Sequence, residues 1–504
     1  MNFLFLNKAS NRLLLSLFSG GLFFLSWQPN LSPFILFLVF IPLLFINTRE
    51  VKLGHYFGFC FLCFFTAVAT TCYWVLINDH WWYATGLVWQ ALLMTIPFLL
   101  YYKIRSKFSE SLALLFLIAA WISYEYISLN FNYNLPWLVL GNAFANTPKY
   151  IQWYEYTGVL GGSTWIMAVN VLIYLFLKNH RKLESAICFL TLSIPIVTSI
   201  IMYNSYIINK RKIEVVLVQP NFDPLTDKFP DEENYIHYYK QINTLTTLAS
   251  SVTSASTEYV LFPETAIIEG VWSTHVSDML NNIDIENFFK KYPRAKLFTG
   301  IEIYESASYN ASDSRIPTRY KESIGYHELH NSSLLIHPTK GLCFQHKCKL
   351  IPFSERLPWV NYKPMNKTLA LFDIDKGITE GSSTNYLELE QKIKIAPVIC
   401  YESIFGNYIS SYVKKGANVI FILSNDGWWG ESMGYKQHFS YARLRAIENR
   451  RSVARCANNG ISGLIDERGE VIATTNGFTQ QAINNVISIN SKKTIYTICE
   501  VSTI

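Results

Sequence analysis

Hydrophobic and polar positions divide this chain into two halves with different periods. Up to about residue 208 the sequence is a succession of apolar runs, around 13–28, 33–46, 54–77, 85–102, 111–129, 162–178 and 185–208. A helix needs about 20 such residues to cross the hydrocarbon of a bilayer, so these seven runs predict a bundle of membrane-spanning helices. The second run is short, and Gly20 and Gly21 interrupt the first. From residue 213 the pattern changes to short β-branched stretches: "IEVVLVQPN", "YVLFPETAI", "KLFTGIEIY", "NSSLLIHP", "GLCFQHKCKLIPF", "IKIAPVICYE", "ANVIFILSND", "RSVARCANN", "SGLIDERGEVIATT" and "AINNVISI". Several are apolar throughout, as strands buried on both faces are. Helical patterns at 234–251 and 436–450 separate some of them, so the second half is predicted to be an α/β domain with packed sheets.

Composition averages these two regions. Of 504 residues 50 % are hydrophobic and 16 % charged, with a mean hydropathy of +0.16. The expected division is a transmembrane domain over 1–208, an extramembrane domain over 213–490 and a tail over 491–504. The basic residues of the short connections set the orientation. Lys8 and Arg12 precede the first run, Arg49 and Lys52 follow the second, Lys103, Arg105 and Lys107 the fourth, and Lys178, Arg181 and Lys182 the sixth. The alternate connections carry only Lys149, in the 130–161 loop. The N-terminus is therefore expected in the cytoplasm and residue 209 outside. Lys210, Arg211 and Lys212 run against the rule, but they open a large domain, where it weakens.

The net charge of +6 lies largely in those short loops. No basic stripe with interleaved aromatics exists, which argues against nucleic acid as a partner. The 130–161 loop is rich in Trp and Tyr, residues that favour the membrane interface; it reads as an anchor there or as the wall of a lipid-accessible cavity. Glu125, inside the fifth run, is costly in lipid and is expected to face the helix bundle. The nine cysteines suggest no disulfide framework. Cys60, Cys63, Cys72 and Cys188 read as buried thiols in apolar runs, and Cys60 and Cys63 lack the neighbours a metal needs. His327 and His330 form an H-x-x-H with no third ligand in sight and read as loop histidines. Neither a metal nor a cofactor is expected.

Three strand ends carry reactive groups. "FPETA" places Glu264 after an apolar strand, "HKCKLIPFSE" places Lys347 and Lys349 near another with Glu355 beyond, and "VICYE" places Cys400 at the exit of a third. A thiol is a nucleophile once a base removes its proton, a carboxylate can be that base, and an ammonium with a backbone N–H can hold a developing oxyanion. Taken singly, a strand-end Glu is usually solvated and a strand Cys usually core.

The motifs "FPETA", "K-x-x-L-I-P-F-x-E", "P-V-I-C-Y-E" and "S-N-D-G-W-W-G", in this order, resemble the nitrilase superfamily. The apolar runs in front of them and "YEYTGVLGG" before the sixth narrow the resemblance to the apolipoprotein N-acyltransferase family, over nearly the whole chain. The resemblance implies an α-helical transmembrane bundle plus a nitrilase-like αββα sandwich. It implies a triad of Glu264 as general base, Lys347 rather than Lys349 as oxyanion stabiliser and Cys400 as nucleophile. Glu355, Tyr401 and Glu402 match positions that the family needs close to the triad, and Trp428 and Trp429 match an aromatic loop. Phe229 stands where the family often has Trp. Glu402, two residues after Cys400, is expected on the same side if the strand continues.

The implied reaction moves an acyl chain from a membrane phospholipid, through a thioester on the Cys, to the α-amino group of a diacylglyceryl-modified apolipoprotein. Its implied setting is the bacterial inner membrane, with the catalytic domain on the periplasmic side. The alternative is a membrane-tethered amidase or hydrolase with water as acceptor; a non-catalytic receptor fits an intact Glu–Lys–Cys set less well. The literal G-x-S-x-G "GESMG" at 430–434 would mark a hydrolase serine, but only His438 follows, six residues after Ser432, so it reads as coincidence. Family members usually end in one further membrane helix, whereas "SKKTIYTICEVSTI" holds no spanning run. The stretch 354–375 reads as a mobile arm or a packed loop.

Overall fold

The structure is a computed structural model that describes residues 8–47, 50–78, 81–130, 135–230, 232–306, 319–321, 325–352, 354–355, 378–382, 384–390 and 392–499. The stretch 356–375, most of the arm considered above, lies outside them. The chain divides into two compact units, Met1–Tyr206 and Ile207–Ile504.

The first unit is helical: α1 (Ala9–Ser26), α2 (Ile41–Ile46), α3 (Leu53–Thr71), α4 (Trp81–Arg105), α5 (Glu110–Asn130), α6 (Tyr154–Asn179) and α7 (Lys182–Ser205). Among the described residues five helices, matching the last five apolar runs, are long and apolar enough to cross a membrane. The second run is instead broken into a 3-10 turn at Pro33–Leu38 and the short α2. A break leaves backbone groups without helical partners, which apolar surroundings do not tolerate. Buried Asn170 of α6 supplies them, accepting from Phe40 N at 2.9 Å and donating to Leu36 O at 2.8 Å. Glu125 is buried, and its Oε1 accepts from Trp121 Nε1 and from Leu140 N, both at 2.9 Å. It ties α5 to the loop that follows. At the start of α6, Gly158 has φ 60° and ψ −166°, a region closed to side-chain-bearing residues, and kinks the helix there.

The second unit holds β1 (Lys212–Gln219), α8 (Tyr238–Val252), β2 (Tyr259–Leu261), β3 (Ile267–Trp272), α9 (Ile283–Lys291), β4 (Lys296–Ser306), β5 (Arg319–Lys321), β6 (Gly325–His337), β7 (Gly341–His346), β8 (Ile395–Ile399), α10 (Gly406–Lys415), β9 (Val419–Ser424), α11 (Met433–Asn449), β10 (Val453–Ala457), β11 (Gly463–Ile465), β12 (Val471–Thr474), β13 (Gln481–Ser488) and α12 (Ile495–Cys499). One sheet runs β13-β1-β2-β4-β6-β5, with β3 beside β4 and β7 beside β6; the other runs β12-β11-β10-β9-β8.

Alternation along β1 shows why the strands are apolar throughout. Val215 and Leu217 face the second sheet, packing in one core with Phe421, Leu423 and Ala454. Val216 and Val218 point the other way, into a core with Ile242 and Leu245 of α8 and Phe288 of α9. Strands buried on both faces need no polar alternation. With α10 and α11 belonging to the second sheet's side of the unit, this is the αββα sandwich. Pro397 is tolerated in β8 because that strand is an edge and a missing N–H there breaks no ladder.

Candidate active site

Three turns deliver the reactive groups. After β2 the chain passes through Pro263 and Glu264 to Thr265, whose φ is +47°. This turn lies against β4: Gly300 N donates to Pro263 O at 3.1 Å. A Cβ on Gly300 would fall 2.7 Å from Glu264 Cα, so only glycine lets the turn come so close. Lys347 follows β7 directly, and its N–H donates to Asn331 O at 2.8 Å. Cys400 follows β8 with φ +49°, a left-handed conformation that costs a non-glycine residue free energy and concentrates at functional sites.

Electrostatics join the three. Lys347 is fully buried, with Nζ 3.1 Å from Glu264 Oε1 and 2.5 Å from Glu355 Oε1. Burial alone would lower its pKa; the carboxylates of Glu264 and Glu355 outweigh that and hold it well above the ordinary lysine range. Glu264 Oε1 also accepts from Asn331 Nδ2 at 2.8 Å, and Glu355 Oε2 from Ile351 N at 2.9 Å. Burial, with the Glu264 charge adding to it against the pull of Lys347, raises the pKa of Glu355. The Cys400 thiol is pushed far up by burial and then by Glu264, with Lys347 opposing. A thiol so placed stays protonated until a neighbouring base takes its proton.

Glu402 departs from the expected direction. The strand does not continue past Ile399; Cys400–Ile404 is a 3-10 turn, so the two-residue alternation stops applying. Glu402 Oε1 accepts from Cys348 N at 2.6 Å, Lys349 N at 3.2 Å and the Tyr408 hydroxyl at 2.7 Å, while Oε2 accepts from Ile399 N at 2.8 Å. It ties the Cys400 turn to the chain that carries Lys347. Burial raises its pKa to about 7, against the pull of these donors. Tyr401 is buried with its ring edge-on to Phe405 at 5.2 Å. Lys349, the other lysine of the pair, lies with Nζ 5.9 Å from the centre of the Phe405 ring.

The aromatic residues fall into two places. Phe229 stacks on Trp428 with centroids 5.7 Å apart, and Trp429 stands edge-on to His438 at 5.4 Å. The serine of "GESMG" has a local duty: Ser432 Oγ accepts from Gly434 N at 3.1 Å and caps α11.

Several groups at this site were not legible in the sequence. Asn331 reaches Glu264 only through the β4–β6 register. Lys228, one residue before Phe229, is 1 % exposed and donates to Glu264 O at 3.0 Å and Thr265 Oγ1 at 2.7 Å. Burial depresses its pKa to about 8 against the pull of Glu264. Behind the Cys400 turn, Asp426 accepts from Arg455 Nη2 at 2.7 Å and Ser424 Oγ at 2.7 Å, with His438 Nδ1 at 2.8 Å. The Cys400 carbonyl accepts from Ser403 Oγ at 2.7 Å and has His438 Nε2 at 3.1 Å. The available signal was Asp426 itself, a carboxylate two residues past an apolar strand.

Comparison with known proteins now bears on this geometry. Residues 19–172 match the apolipoprotein N-acyltransferase N-terminal domain, and residues 233–491 match the carbon-nitrogen hydrolase domain. An apolipoprotein N-acyltransferase of Chlorobaculum tepidum is 27 % identical, covering 96 % of this chain and 92 % of its own. One of Rickettsia typhi is 29 % identical, covering 84 % of this chain and 80 % of its own. The crystal structure of Saccharomyces cerevisiae Nit3, a member of branch 10 of the nitrilase superfamily, aligns over 56 % of this chain and 92 % of its own, with 16 % identity and a TM-score of 0.38.

Proposed function

The chain belongs to the carbon-nitrogen hydrolase family, and within it to the apolipoprotein N-acyltransferases of lipoprotein maturation, and we propose that it moves the acyl group through a thioester on Cys400. The observation that carries this reading is a buried ammonium, Lys347, held between two carboxylates beside a thiol at a left-handed turn.

In the first half-reaction Glu264 takes the Cys400 proton and the sulfur attacks an ester carbonyl of a phospholipid. Lys347, with a backbone N–H of the nucleophile turn, holds the oxyanion. The intermediate collapses, the C–O bond breaks, and the lysophospholipid alkoxide leaves with the proton from Glu264. In the second half-reaction the α-amino group of a diacylglyceryl-cysteine attacks the thioester. Glu264 takes a proton from that nitrogen, the C–S bond breaks, and the proton passes to the Cys400 sulfur. The products are an N-acylated lipoprotein and the free thiol. Glu355 holds Lys347 in place and Glu402 holds the nucleophile turn.

Both substrates are lipids, which gives the apolar helices of the first unit their reason. We assign those helices to the bacterial inner membrane and the second unit to its periplasmic face, as the distribution of Lys and Arg in the short connections supports.

The test is an intact-mass measurement on protein in phospholipid-containing micelles without acceptor. An acyl adduct released by neutral hydroxylamine is expected, and none of that lability in Cys400→Ser. A diacylated lipopeptide should then discharge the adduct into a triacylated product. Discharge to free fatty acid at the same rate with and without lipopeptide would make the protein a tethered hydrolase and sink the proposal.

A further inference from the structure

The H-x-x-H of the sequence is not a pair in the fold. Three residues apart on β6, His327 and His330 point to opposite faces of the sheet. His327 lies against the rings of Tyr304 and Trp272, at 5.3 and 6.3 Å. On the other face the strand register assembles a different set. Glu305 stands directly across from Glu328, and Ser332 across from His346. Since 328, 330 and 332 alternate on one side of β6, the face gathers Glu305, Glu328, His330, Ser332 and His346.

Four features of this set point to a bound cation. Two carboxylates directly opposite each other on adjacent strands repel. The ligand atoms of Glu305, His330 and His346 all lie within 4.8 Å of one another. His330 is 4 % exposed, yet among the described residues its Nε2 makes no hydrogen bond, although it is 3.4 Å from Glu328 Oε2 and 4.0 Å from Glu305 Oε2. Finally, His330 Nδ1 lies 3.1 Å from Thr379 O. A carbonyl only accepts, so Nδ1 carries a proton, and in the neutral ring the lone pair of Nε2 is directed at the carboxylates. A buried nitrogen lone pair facing two carboxylate oxygens is unfavourable unless a cation sits between them.

We infer that Glu305, His330 and His346 form a binding site for one divalent cation of the zinc type, with Glu328 at its edge beside His330. Mixed imidazole and carboxylate donors suit Zn²⁺ better than Mg²⁺ or Ca²⁺, which prefer oxygen alone. A tetrahedral ion with bonds of about 2.1 Å spaces its ligand atoms about 3.4 Å apart. That is close to the separations already present, including 3.1 Å between His346 Nε2 and Glu305 Oε1. The two imidazoles stack with centroids 4.1 Å apart, so a small splay of the rings brings both Nε2 atoms onto one ion. Outer contacts are in place: Thr379 O on His330 Nδ1, and Ser332 Oγ on His346 Nδ1 at 2.7 Å. Such contacts fix ring orientation at metal sites.

The site also has a consequence for the reaction, because each histidine precedes a residue of the catalytic cluster, Asn331 and Lys347. By alternation those residues lie on the opposite face, and the ion would pin β4, β6 and β7 beneath them.

The experiment is a Zn²⁺ titration of the full-length protein in detergent, stripped with EDTA and challenged with a chromophoric chelator in excess Mg²⁺. One equivalent should bind, with affinity reduced about 10- to 100-fold in Ser332→Ala and further in His346→Ala and Glu305→Gln; His327→Ala should bind as the unaltered chain does. Glu305 is 40 % exposed, so its variant should keep the fold and the melting temperature of the metal-free protein. Co²⁺ in place of Zn²⁺ should give visible absorption without a thiolate charge-transfer band, and Cys343→Ser with Cys348→Ser should leave the stoichiometry at one. Failure of folded protein to bind Zn²⁺, equal binding by Glu305→Gln, or loss of binding with the two thiols would each overturn the assignment.

Discussion

The Cys400 thiol feels two buried groups of charges that differ in their balance. Glu264, Lys347 and Glu355 set two carboxylates around one ammonium, whereas Asp426 meets the Arg455 guanidinium one to one, with His438 beside it. The titration shifts run in opposite directions accordingly. Burial and the Glu264 charge raise Glu355 against the pull of Lys347, while Arg455 and His438 overcome burial and hold Asp426 far below the ordinary carboxylate range. Around Lys347 two carboxylates share one ammonium, since Lys228 meets Glu264 only at its main-chain oxygen, and that leaves room for a proton; the Asp426–Arg455 pair is matched. The first group is suited to moving protons, and the second to holding the turn whose carbonyl it contacts.

Substitutions that cross this line are the sharpest tests. Glu264→Gln keeps the shape of the first cluster and removes the carboxylate proposed as its base. Acyl-adduct formation, followed by mass, should slow by about 10²- to 10⁴-fold, with the protein still folded. Asp426→Asn in the second cluster should do the reverse. It leaves Arg455 buried without its counter-charge and should destabilise the fold by about 3–5 kcal/mol, visible in thermal unfolding before any activity is measured. If Asp426→Asn proved as stable as the unaltered chain and equally inactive as Glu264→Gln, the division between the clusters would collapse.

Glu402 lies between these cases, a buried carboxylate with many donors and, among the described residues, no cation in contact. Its folded pKa near 7 is above the usual value of 4.5. The folded state therefore binds the proton more tightly than the unfolded state, and stability should fall as pH rises from about 4.5 to 7. At about 1.4 kcal/mol per unit the loss is about 3 kcal/mol. Glu402→Gln should flatten that slope in unfolding curves taken across the range, and an unchanged slope would show that other groups set it. The smallest effect is expected from the aromatic pair. Phe229→Ala removes a ring stack worth about 0.5–1.5 kcal/mol and should raise KM for phospholipid with little change in kcat.

How far the site could be read ahead of the structure differs from residue to residue. Glu264, Cys400 and the choice between Lys347 and Lys349 rested on motif order and spacing, and the fold brings Glu264, Lys347 and Glu355 into contact. Glu402 was assigned a side by strand alternation, and that reasoning failed where β8 gives way to a 3-10 turn. Lys228 and Asn331 left no mark in the sequence, because both reach Glu264 across strands or loops far away in the chain.

The sequence by itself determined which half of the chain prefers apolar surroundings, where buried strands run, and at which strand ends reactive groups stand, because these depend on local period and composition. Only the tertiary structure decided that Asn170 repairs the broken second run, that Asp426 is matched by Arg455, and that His330 joins His346 and two glutamates instead of His327. Such partnerships depend on strand register and helix packing, which long-range burial fixes and no window of sequence contains.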